Sequence, residues 1–464
     1  MSVLVRHGRI ITASDDCVGD ILVQGERIAL VGSHLDVAAD RVIDADGAYV
    51  LPGCVDVHTH FDMPLGEIRT ADDFLSGQTA AAFGGTTCHI DFATQERGSS
   101  FAEALTAWHG KREGRSLIDN GFHMAITDLS SPEALGELAA LPDAGVTSVK
   151  LYLAYKHTLQ VSDEVLFRAM EVAARAGILV MVHAENGDVI EVLVERARAL
   201  GNLDPSWHAR TRPPETEGEA VNRAIQLARI AGCPLYVVHV SCAEALEPIR
   251  AARARGWNVY GETCPQYLLL DSSSLEGPEA IRYVYTPPPR ASSNHELLWG
   301  ACARNELSTI STDHCSFTLA DKARGRDDFS KIPNGGPGVE TRLELVHSFG
   351  VGRGRLGLNR MVDLLATTPA KLFGLYPRKG TIAVGSDADL VVFDPGAKRT
   401  ISAATHHSRA DYSLYEGFEV SGAPLLVLRR GEVIVEGGEL RAEPGSGRYL
   451  PRARFGARLG GAAS

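Results

Sequence analysis

The chain has 464 residues, of which 44% are hydrophobic and 22% charged, with 47 glycines and 22 prolines. That length suits a barrel of about 250 residues with a smaller companion, and the composition excludes disordered and collagen-like chains. Lys and Arg number 46 against 58 Asp and Glu, and the resulting net charge of −12 repels phosphate backbones and anionic lipid, so nucleic acid is not expected as a partner.

Residues 1–9 carry Arg6 and Arg9 but no apolar signal core, and no later stretch approaches the roughly 18 apolar residues of a membrane span, which points to a cytoplasmic protein. The eight cysteines are scattered, with no CxxC pair, and read as reduced packing residues, Cys315 included.

Residues 1–51 alternate short β-like runs (3–5, 9–11, 20–23, 27–31) with turns at Gly8, Gly19 and Gly25. The same texture returns at 380–393 and 425–435, so residues 1–51 and 376–440 are expected to complete one β-sandwich domain together. Between them, in 52–375, aliphatic runs alternate with helix-length segments such as 163–176, 217–231 and 244–254. The runs are 54–60, 86–93, 122–126, 148–154, 178–185, 235–240, 259–263 and 308–314. Eight such βα units predict an α/β fold, a closed (β/α)8 TIM barrel whose site lies at the strand ends, with a doubly wound open sheet as the competitor. Residues 265–290 are long for one loop and are expected to wall the site. The last stretch, 441–464, has little apolar periodicity and reads as a frayed tail or as an arm docking on a neighbouring subunit.

Alternate strand residues share a face, so Asp56, His58 and His60 are expected to point together at the barrel mouth. His183 and His239 each end an aliphatic run, and Asp313 ends the last one. Four histidines and a carboxylate at one rim need partners if buried, and a metal supplies them. Five such ligands exceed one tetrahedral catalytic zinc site, so two ions are expected, with an anionic bridge between them. Lys150, among apolar neighbours on the fourth run, is the candidate bridge as a carbamate formed from its neutral amine and carbon dioxide; a salt-bridged lysine at a strand end is the alternative.

This set resembles the amidohydrolase superfamily with a carboxylated lysine. Longer strings at 50–60, 83–87, 150–156, 262–268, 312–317, 332–340 and 369–375 resemble its hydantoinase and dihydropyrimidinase branch over nearly the whole chain, with D-selective hydantoinases the nearest group. The resemblance implies two zinc ions, one held by His58, His60 and Asp313 and the other by His183 and His239, with N6-carboxylated Lys150 bridging both. It implies that Tyr155 donates its hydroxyl to the substrate carbonyl and that Asp313 carries the proton to the leaving ring nitrogen. It also implies that Thr286, where the family has serine, and Asn334 contact a cyclic imide mainly through the main chain. The expected reaction opens 5-substituted hydantoins or dihydropyrimidines to N-carbamoyl amino acids. Dihydropyrimidinase, allantoinase and dihydroorotase activities share the metal site, and a metal-free scaffold is the non-enzyme alternative. The loops 61–69, 94–99 and 156–161, carrying Met63, Leu65, Ile68 and Leu159, are expected to line the pocket for a ring substituent. Homotetramers are common in this branch.

Overall fold

A computed structural model describes residues 1–456. Eight parallel strands form the central sheet in sequence order: Cys54–Thr59, Thr86–Thr94, Asp119–Ala125, Ser148–Tyr152, Leu179–His183, Leu235–Val237, Val259–Thr263 and Thr309–Ile310. The two edges meet where Thr59 bridges His314 and the His60 N–H donates to the His314 carbonyl at 2.9 Å. The sheet thereby closes into the (β/α)8 barrel. Inside it, Val57, Ile90, Phe92, Met181 and Tyr236 form part of one buried cluster. Each fully buried side chain of this size contributes about 1.5–3 kcal/mol to folding.

The helices between the strands follow local signals. The Ser162 hydroxyl accepts from the Val165 N–H to start Asp163–Ala176, and Gly177 ends it at φ +68°, a conformation that favours glycine. Between them Leu166, Ala169, Met170 and Ala173 are buried at helical spacing. Two expected helices begin slightly earlier, as Pro214–Ala231 and Ala243–Ala254.

Segments from both ends of the sequence, up to Leu440, form a nine-stranded mixed sheet, where Tyr49–Pro52 runs antiparallel to Leu390–Thr400 and parallel to Ser2–Ile11. Val3, Ile21, Val50, Leu390 and Leu428 share a core there, separate from that of the barrel. The run at 380–393 becomes a continuous strand of this sheet from Leu390 onward, with Asp387 forming an isolated bridge to Arg27 before it. The preceding Asp387 and Asp389 bring their carboxylates to the buried Lys379 ammonium, at 3.0 and 2.7 Å.

Residues 441–456 lie against the protein itself. They run across their own barrel: Asn120 bridges Tyr449, the Arg452 guanidinium donates to the Ser148 hydroxyl at 2.9 Å and to the Phe122 carbonyl, and Leu450 joins the barrel cluster. The rest of the expected arm, 457–464, lies outside the described residues.

The eighth strand also departs from expectation, ending at Ile310 rather than His314. The Asp56 carboxylate takes the Thr312 N–H at 3.3 Å and its hydroxyl at 2.7 Å, and Asp313 turns to φ +50°, so the segment leaves the ladder.

Candidate functional site

The six expected metal-site residues meet at the C-terminal mouth of the barrel. Strand alternation alone does not bring them there. Pairing of the first two strands shifts register between Asp56 and Thr59, and Asp56 turns to Thr312 and to Arg342, 3.7 Å away, instead of joining His58 and His60. His239 lies beyond its strand at φ +40° and Asp313 beyond its own at φ +50°, backbone conformations rare outside glycine and concentrated at functional sites.

Asp313 Oδ1 lies 3.0 Å from His58 Nε2 and 3.2 Å from His60 Nε2, and the ligand atoms of these three residues all fall within 4.8 Å of one another. Lys150 Nζ sits 3.0 Å from His58 Nε2, over the rings of Phe92 and Tyr152 at 4.5 and 4.9 Å. His183 Nδ1 faces His239 Nε2 at 2.9 Å. The outer sides of two imidazoles are held by buried carboxylates. Glu262 Oε1 lies 2.6 Å from His58 Nδ1, and Glu185 Oε2 lies 2.9 Å from His183 Nε2.

Electrostatics suit a cation. Burial pushes the His60 imidazole down to about 4 against the pull of Asp313, and burial with the neighbouring His183 holds His239 well below its ordinary value. Both rings are neutral and offer lone pairs. Burial also lowers the Lys150 amine to about 8, with the Asp313 charge opposing. Burial works against the Asp313 carboxylate, but the positive His58 side and hydrogen bonds from His58 and His60 keep it ionised, well below the usual range. His183 Nδ1 and His239 Nε2, facing each other at 2.9 Å beside an ionised carboxylate shared by His58 and His60, form a donor set that a divalent ion satisfies. Nitrogen ligands of a tetrahedral zinc are themselves about 3.3 Å apart.

Above these groups lies a cavity of about 620 Å³. Tyr155, Thr286 and Asn334 all line it. Tyr155 sits at φ +65°, and its carbonyl accepts the N–H groups of Thr158, Leu159 and Gln160, a tight turn that sets its ring 5.1 Å from that of His183. Burial, then the Glu185 charge, raises its phenol, which stays protonated as a donor. Met63, Leu65, Ile68 and Leu159 line the same cavity, whereas the loop at 94–99 contributes only Thr94. Tyr285 and Thr286 lie within the last part of the segment 265–290, and His208 Nε2 donates to the Tyr285 carbonyl at 2.9 Å. Cys315 lies on the cavity wall and is one of eight unpaired cysteines, seven of them buried.

Sequence reasoning gave no role to Glu185 and Glu262. The signal was present for Glu185, which follows His183 by two residues just past the strand end. For Glu262 it was absent, because its partner His58 lies 204 positions away.

Imidazoles, an acid and a lysine at the mouth of a (β/α)8 barrel form an arrangement suited to metal-assisted hydrolysis. A model of the amidohydrolase family matches residues 49–434, and the chain belongs to that family. A D-hydantoinase of Geobacillus stearothermophilus is 50% identical over 461 residues, covering 98% of each chain. A dihydropyrimidinase of Rattus norvegicus is 39% identical over 97% of this chain and 89% of its own. The crystal structure of a dihydropyrimidinase from Brevibacillus agri superposes with a TM-score of 0.97 at 48% identity, over 98% of this chain and 99% of that one.

Proposed function

We propose that the protein is a metal-dependent cyclic amidohydrolase that opens the rings of 5-substituted hydantoins, with preference for the D form, and of dihydropyrimidines, to N-carbamoyl amino acids. The observation that carries this reading is the convergence of His58, His60, Lys150, His183, His239 and Asp313 beneath a cavity with an apolar wall. The names of the relatives supply the ring chemistry.

His58, His60 and Asp313 would hold one zinc ion and His183 and His239 a second, with Lys150 bridging them as its carbamate. The Lys150 amine has no carboxylate within 4.0 Å among the described residues, so an ion pair does not account for it. When bound, the ions supply the Lewis acidity that makes water a nucleophile at neutral pH. The chain's own residues do the rest. Tyr155 donates its hydroxyl to the ring carbonyl oxygen as negative charge builds there, an interaction worth about 2.7–4 kcal/mol. Asp313 accepts a proton from the attacking water and passes it to the ring nitrogen as the C–N bond breaks. The Thr286 and Asn334 main chain holds the ring, and Met63, Leu65, Ile68 and Leu159 receive its substituent.

Eight unpaired cysteines suit a reducing cytoplasm, and among the described residues no helix is long and apolar enough to cross a membrane. A homotetramer is part of this reading, to be measured by light scattering. The functional test is product analysis after incubation of zinc-loaded protein with dihydrouracil and with a 5-substituted hydantoin. N-carbamoyl products from either ring class support the reading, and intact rings with two metals bound per chain defeat it.

A further inference from the structure

Lys322 is withdrawn from solvent, with 0% of its surface exposed. It lies on the short helix Leu319–Ala323, started by the Thr318 hydroxyl. Among the described residues no carboxylate lies within 4.0 Å of its ammonium. Its three N–H donors instead meet three main-chain carbonyls, those of Val284 at 2.7 Å, Pro333 at 2.8 Å and Gly335 at 2.6 Å. An ammonium has three donors, so it is saturated. Burial pushes its pKa down to about 7, with the nearby Cys315 opposing.

The three acceptors belong to the two segments that wall the substrate side of the cavity. Val284 precedes Thr286 by two residues, and Pro333 and Gly335 flank Asn334. The Gly335 N–H donates to the Val284 carbonyl at 3.1 Å, so this bond and Lys322 together join the segments at that point. Thr286, Asn334 and Gly335 face the cavity, and Lys322 does not line it. A buried cation without a counter-charge is costly, and an apolar residue would fill the space with no such cost. What an apolar residue cannot do is hold three carbonyls at one point.

We propose that Lys322 is a positioning residue: its ammonium clamps the Thr286 and Asn334 main-chain segments at a fixed separation and thereby sets affinity for the cyclic amide rather than the rate of ring opening. This rests on the ring-opening activity proposed above and on main-chain binding at Thr286 and Asn334. Removing the ammonium takes the donor from the Pro333 carbonyl, leaves the Val284 carbonyl with the Gly335 N–H alone and the Gly335 carbonyl with the Tyr412 hydroxyl at 3.5 Å, and lets the two segments part; a displacement near 1 Å is enough to cost a large factor in binding or rate.

The test compares wild type with Lys322→Met, which keeps chain length without donors, and Lys322→Gln, which keeps two donors. Each is assayed on dihydrouracil and a 5-substituted hydantoin, with metal content and circular dichroism measured alongside. Wild-type turnover is read first: its absence defeats the functional reading before the clamp is tested. Given wild-type turnover, the methionine variant is expected to keep its metal and its spectrum, with KM raised about 10-fold or more and kcat changed less than 3-fold, and the glutamine variant to fall between. A folded, metal-loaded variant with native KM overturns the assignment, as does a loss confined to kcat. Failure of both variants to fold also overturns it, because Lys322 is then a residue of the fold alone.

Discussion

Glu262 Oε1 lies 2.6 Å from His58 Nδ1, and this contact turns Nε2 of the same ring toward Asp313 and Lys150. The carboxylate is itself held by the Tyr236 hydroxyl at 2.8 Å and by the His239 N–H at 3.2 Å, so one buried acid orients a residue on the first strand and the turn after the sixth. Such supporting carboxylates fix the tautomer and orientation of a ligating histidine. Glu262→Gln is expected to weaken metal retention and activity by about 10–100-fold while the protein stays folded. Metal analysis after dialysis checks it, and native retention would remove Glu262 from the site.

Lys150→Ala should abolish paired occupancy. The alanine cannot form a carbamate, and among the described residues no other lysine lines the floor beside the histidines; Lys331, on the cavity wall, has 65% of its side chain exposed. Elemental analysis should find two metal ions per wild-type chain and at most one in the variant. Full occupancy in the variant would contradict the bridge.

Tyr155→Phe removes one hydroxyl from a ring 5.1 Å from His183, without emptying the space the ring fills. If the hydroxyl meets charge that develops only during reaction, kcat falls by about 100-fold or more and KM changes little. A change confined to KM would make Tyr155 a binding residue.

Acid stability should depend on Asp72. Burial disfavours its carboxylate, but the His314 ring, 3.0 Å away, the Arg409 N–H and the Ser408 hydroxyl outweigh that and hold it well below the usual range. A carboxyl whose folded pKa lies below its unfolded value of about 3.9 stabilises the fold above that pH and loses this contribution as pH falls through the folded value. Asp72→Asn should therefore cost about 1–3 kcal/mol at pH 7 and show a shallower loss of stability below pH 4 than wild type. Urea titrations of chelated protein, in which metal loss plays no part, check the two slopes; parallel curves would contradict the assignment.

Much of the barrel was legible because its signals are local. Ser162 and Gly177 bracket a single helix, and the aliphatic run ending in His183 marks a strand end. The site was legible as a set of residues but not as a geometry. The left-handed turns at His239 and Asp313 and the register shift after Asp56 arise from contacts between distant segments, such as Asp56 with Thr312 across 256 positions. Residues 441–456 carry no periodicity because their order comes from the barrel surface beneath them, through Arg452 and Leu450. Lys322 was hidden for a related reason. In the polar stretch 320–328 it looks like a solvated helix residue, and only the distant carbonyl of Val284, 38 positions away, shows otherwise.

The central claim is that residues at the barrel mouth bind metal to open a cyclic amide. The most direct measurement follows turnover of the separated D and L forms of a 5-substituted hydantoin through three states of one preparation: as isolated, after chelation, and after zinc is returned. Turnover that favours the D form, vanishes on chelation and returns with two zinc ions per chain is the predicted result. Turnover that survives complete removal of metal would contradict the account.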